Sequence, residues 1–96
     1  MSVTLPDTPE ARVVQNQLTK CGTSIGANYR EANRSRSKAD FKNKIGICEG
    51  EANETLYWLE ILQEARINNS KEIIAIYYEA KEILAIFTSI GKNTKL

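Results

Sequence analysis

Residues 24–44, SIGANYREANRSRSKADFKNK, decide where this chain turns. The stretch opens as a helix face of small residues and closes as a run of cations. Arg30, Arg34, Arg36, Lys38, Lys42 and Lys44 face only Glu31 and Asp40 in the same span. At its centre, NRSRS has the composition of a joint. Ser37, with Asp40 three residues later, resembles a capping box that opens a new helix. The stretch therefore reads as the corner between two helices, with cations on both sides of the turn.

Working outward, nothing alternates like a strand, and the chain reads as three long helices. The first spans about residues 9–33: Thr8 can cap it, Pro9 suits its first position, and Glu10 favours the positive end of its dipole. Its apolar strip is Val14, Leu18, Cys21, Ile25, Tyr29 and Ala32, spaced three or four apart. Gly22 and Gly26 lie four apart within it, as either a weak point or a place where a neighbouring helix backbone comes close. The second helix spans about 37–65, with Phe41, Ile45, Cys48, Ala52, Leu56, Leu59 and Leu62 on its main strip. INNS (67–70) is the second joint, where Asn69 or Ser70 can cap a third helix over about 70–90, with Gly91 as its stop. The fold class expected is all-α: an antiparallel up-down bundle in a single domain, 1–96.

Two features exceed what three helices can bury. In the third helix, Ile73, Tyr77, Ala80, Leu84 and Phe87 form one strip, and Ile76, Ile83, Ile86 and Ile90 lie alongside it. Together they span far more than the roughly 100° stripe of an ordinary surface helix. The second helix carries another apolar line, Ile47, Trp58, Ile61 and Ala65, on nearly the opposite side from its main strip. Each buried Ile or Leu contributes about 1.5–3 kcal/mol, so leaving these wet would forgo much of a small domain's stability. The surplus calls for a fourth helix or a second copy. Ile47, Trp58, Ile61, Ile76, Ile83, Ile86 and Ile90 are the candidate oligomer interface.

Composition excludes several functions. The 96 residues carry a net charge of +1 and no histidine, which removes the commonest general base and zinc ligand. Glu49, Glu51, Glu54 and Glu60 do not share one helical face, and no His accompanies them as in di-metal bundles. Neither a glycine-rich phosphate loop nor a nucleophile with an adjacent base is present. The reading is a non-enzyme with no catalytic residue, metal or cofactor. MSVTLPDTPE lacks the pattern of a signal peptide, and no apolar run approaches the roughly 20 residues that span a bilayer. A cytoplasmic setting with Cys21 and Cys48 reduced and buried is expected, although folding back at the joint would bring the two to nearly one level.

The segment LPDTPEARVVQNQLTKCGTSIGANYREANRSRSKADFKNKIGICEGEANETLYWLEIL resembles the small bacterial four-helix-bundle proteins encoded in intervening sequences of 23S rRNA genes. It also resembles their relatives, the accessory variability proteins of diversity-generating retroelements. The likeness covers about residues 5–90, and SIGANYREA, SKADF and EANETLYWLE are its most distinctive parts. It implies an antiparallel four-helix bundle, a homopentameric ring and no catalysis. For the retroelement branch it implies a basic surface engaging nucleic acid and a reverse transcriptase partner. The three helices of this chain match the last three of that bundle.

The basic corner is explained cheaply on one side of the turn and not on the other. Arg30 and Arg34 close a helix, where the dipole favours cations whatever their role. Lys38 and Lys42 open one, where it opposes them, so an anion is expected nearby. That anion is Glu31 or Asp40, a glutamate of a neighbouring subunit, or a nucleic-acid phosphate, with Glu49, Glu51 or Glu54 as further partners for Arg30 or Arg34 across the helix pair; plain solvation of the corner is the remaining reading. Arg30, Arg34, Arg36, Lys38, Lys42 and Lys44 are thus the candidate contact set for RNA or DNA. With little aromatic interleaving, such contact would be through phosphates rather than stacked bases.

Overall fold

The computed structural model describes residues 8–64 and 71–94. They form α1 (Pro9–Asn33), α2 (Lys38–Glu64) and α3 (Lys71–Asn93), with no strand among the described residues. The body measures 45 × 20 × 16 Å, so one long axis carries all three helices.

Local chemistry starts each helix where side chains satisfy its free N–H groups. Thr8, extended at φ −127°, ψ 156°, accepts a hydrogen bond from the Ala11 N–H at 3.1 Å through Oγ1, and Pro9 occupies the first helical position. At the other end, Arg34 leaves helical geometry, and its N–H and that of Ser35 close on the carbonyls of Glu31 and Ala32, each at 3.1 Å. Ser37 Oγ then accepts from the Asp40 N–H at 3.0 Å and opens α2. Asn69 and Ser70, the expected caps of α3, lie outside the described residues, as does Ala65.

The end of α3 departs from expectation. Gly91 does not stop the helix, which runs to Asn93. Thr94 then ties back to the Ile90 carbonyl through both its N–H (3.1 Å) and its hydroxyl (2.7 Å). Gly91 stays helical and faces α2, where a Cβ at this position would lie 3.9 Å from Ile45 Cγ2. The short polar cap at Thr94, rather than the glycine, sets the boundary.

Packing is centred on α2. Its strip is the spine of the core: Ile45, Cys48, Ala52, Leu56, Leu59 and Leu62 are buried, with Thr55 beside them. One cluster joins Val14 and Leu18 of α1, Leu56, Leu59 and Leu62 of α2, and Ile73 and Ala80 of α3. A second, nearer the basic corner, joins Ala32, Ile45, Cys48, Ala52 and Phe87. Between described residues, no α1 Cα comes within 8 Å of an α3 Cα. The two outer helices rest on α2 and are separated by a groove. Side chains bridge it at one end, where Tyr29 and Phe87 meet edge to face with ring centroids 5.9 Å apart.

Candidate nucleic-acid interface

The antiparallel register of α1 and α2 places every polar group discussed above. The Cys48 thiol points at the Ile25 carbonyl, 3.7 Å away. Cys21, one turn earlier on α1, meets Glu51 and Glu54, and the three potential ligand atoms lie within 4.8 Å of one another. Of the four acids only Glu51 and Glu54, three residues apart, converge, and they do so on a thiol. Burial, then the charges of Glu54 and Glu51 and a hydrogen bond to Glu51, push the Cys21 thiol up to about 11. It holds its proton at neutral pH and behaves as a small core residue. Both cysteines are free and buried.

The same register breaks the expected pairing of Arg30 or Arg34 with Glu49, Glu51 or Glu54. Arg30 precedes buried Ala32 by two residues, about 200° round the helix, so it points away from α2. Arg34 lies beyond the helix end. Among the described residues, none of Arg30, Arg34, Arg36, Lys38, Lys42 and Lys44 has a carboxylate within ion-pair distance. All are exposed except Lys44, which is half-buried. The turn gathers the α1 end and the α2 start into one cationic end of the body.

The expected interface residues divide into two groups. Ile47, Ile83 and Ile86 are 38%, 43% and 56% exposed. Trp58, Ile61 and Ile76 are half-buried against the first core cluster, and Ile90 against the second. Trp58 Nε1 and Gln63 Nε2 are buried without a hydrogen-bond partner among the described residues. Ile25, Ile76 and Ile83 line the groove between α1 and α3, a space of ≈ 450 Å³ floored by the small residues Ala52 and Thr55. Gly22 lies on its edge, yet a Cβ on Gly22 or Gly26 would meet nothing within 4 Å. Among the described residues, no atom of another helix lies within 4 Å of where either Cβ would be.

Sequence reasoning overlooked Lys92. It lies far from the corner along the chain, but α3 returns it beside Lys42, where both line one cleft. The last-turn position explains its charge on dipole grounds alone and hides this proximity.

Residues 1–89 match the family described as 23S rRNA-intervening sequence protein. A solved structure, that of a protein of unknown function from the S23 ribosomal protein family of Bacteroides thetaiotaomicron, is 43% identical to this chain. It superposes with a TM-score of 0.80, over 84% of this chain and 75% of the other. No curated protein matches.

Proposed function

The chain belongs to the 23S rRNA-intervening sequence protein family, and from that premise we propose that it is a non-enzymatic, self-associating helical module that contacts nucleic acid through its basic corner. The observation that carries this reading is the set of unpaired cations at one end of the body. Lys38 and Lys42 stand in the first turns of α2, where the macrodipole disfavours positive charge; Asp40 is the one acid of that first turn, and neither lysine is ion-paired to a carboxylate among the described residues. Phosphates supply that missing anion. Self-association supplies cover for Ile83 and Ile86, whose apolar area is otherwise left in water.

Binding of this kind is electrostatic and mostly independent of sequence, and its logarithmic affinity falls linearly with the logarithm of salt. With about five phosphate contacts on a single strand, the slope is roughly −3.5. Fluorescence anisotropy with labelled RNA and DNA over a salt series measures it, and light scattering measures the assembly. Arg34→Ala, Lys38→Ala and Lys42→Ala together should abolish binding and leave the oligomer intact. Unchanged binding in the triple variant would remove the corner from the reading. Salt-sensitive dissociation of subunits without any nucleic-acid binding would instead make the corner an intersubunit contact.

A further inference from the structure

We propose that the phosphate track continues past the corner into the seam between α2 and α3, where Lys42 and Lys92 hold one backbone phosphate of a single nucleic-acid strand. This rests on the nucleic-acid reading above and extends it to a second helix. The cleft there occupies ≈ 400 Å³ and is lined by Lys42, Gly46 and Glu49 of α2 and by Thr88, Gly91 and Lys92 of α3. One lysine comes from each helix, and Thr88, one turn before Lys92, adds a hydroxyl that can donate to an anion. Gly46 adds no side chain, and a Cβ there would meet open space, so a ligand can approach the backbone. Glu49 is the one acid of the lining. It sits about 10 Å along the helix from Lys42, which restricts an anion to the lysine end.

Two observations select a strand rather than a free ion. Lys42 belongs both to this cleft and to the exposed corner, so a chain of phosphates can pass from one to the other. A second cleft of ≈ 520 Å³ follows along the same seam, floored by the apolar Leu56, Leu84 and Ala85, sharing Thr88 and Lys92 and adding Lys81, Ser89 and Asn93. Each cleft is an open trough of a few hundred Å³ along the surface of two packed helices, with room for the backbone of one strand and not for a duplex. Neither cleft is lined by an aromatic ring, so the contact is with phosphate and carries no base preference.

The test is fluorescence anisotropy of a labelled oligo(U) strand over a salt series, with wild type, Lys92→Gln and Glu49→Gln. Lys92→Gln should weaken binding roughly fivefold at low salt and make the salt slope shallower by about 0.7, one single-strand phosphate contact. Glu49→Gln should strengthen binding. Wild-type binding with a slope unchanged in Lys92→Gln overturns the seam and leaves the corner standing. Absence of wild-type binding overturns both. Inorganic phosphate at millimolar concentration should not displace the strand; displacement would make the cleft a site for the free ion and overturn the strand assignment.

Discussion

Tyr29 of α1 and Phe87 of α3 meet edge to face at 5.9 Å between ring centroids, and this pair spans the groove that otherwise separates their helices. Phe87 is also buried in the cluster with Ala32, Ile45 and Cys48, whereas Tyr29 is 44% exposed. Phe87→Ala should therefore cost about 3–5 kcal/mol, the usual loss for an aromatic ring in a core. Tyr29→Leu should cost only the aromatic pairing, about 0.5–1.5 kcal/mol. Urea unfolding of both variants checks the ratio, and equal losses would mean that Tyr29 is better covered than the isolated chain indicates.

Lys38 separates stability from binding. It occupies the first position of α2, where a negative charge is favoured by about 0.3–1 kcal/mol. Lys38→Glu should raise the melting temperature slightly while weakening nucleic-acid binding more than Lys38→Ala does. A variant that loses both properties would indicate that Lys38 has a structural anion partner.

Three groups make the fold sensitive to alkali. Burial raises Cys21 from 9.0 to about 11, with Glu54 and Glu51 adding to the effect. Cys48 is raised by burial, and Tyr77 chiefly by its hydrogen bond to Glu60. The unfolded thiol loses its proton near pH 9 while the folded one keeps it, so the Cys21 contribution is complete below pH 9 and disappears as pH rises toward 11. Urea midpoints should fall across that window and fall less steeply in Cys21→Ala. Neither thiol should react with a bulky reagent at neutral pH in the native protein.

Gly26 and Gly22 separate helix propensity from docking in the groove. A methyl group at either position meets nothing within 4 Å, so alanine should return up to about 1 kcal/mol of helix propensity. Gly26→Ala is expected to do this. Gly22 lies on the groove between α1 and α3. If a helix of a second copy fills that groove, Gly22→Ala raises the stability of the dilute chain and weakens self-association. Light scattering at matched concentrations separates the two effects.

The strips were legible in the middle of each helix because burial leaves a period, whereas Tyr29 at the end of the α1 strip is exposed and Ile25, Phe41, Tyr77 and Leu84 are half-buried. Val14, Leu18 and Cys21, then Ile45 through Leu62, are apolar at helical spacing and buried where that spacing puts them. Caps at Thr8 and Ser37 were legible because their chemistry is local. The convergence of Glu51 and Glu54 on Cys21, and the failure of Arg30 to reach any of the acids, depend on the antiparallel register of α1 and α2. No single segment encodes that register. Lys92 escaped notice for the same reason: its meeting with Lys42 is created by the return of α3. Gly91 misled because a glycine near a helix end signals a stop only when its backbone turns left-handed, and here it stays in the helix.

Because α1 and α3 each pack their backbones on α2 and meet one another only through side chains such as Tyr29 and Phe87, most of what one outer helix senses of the other is relayed through the position and stillness of the middle one. A strand clamped between α2 and α3 would quieten both helices, and a second copy covering Ile83 and Ile86 would then dock on a helix whose freedom has already been spent. Anion capture in the seam and subunit assembly on the exposed isoleucines would thus be thermodynamically linked without a shared residue. By reciprocity, nucleic acid would tighten the assembly by the factor that assembly tightens nucleic acid. In that arrangement, raising the salt does more than release the ligand: it loosens the subunits that held it.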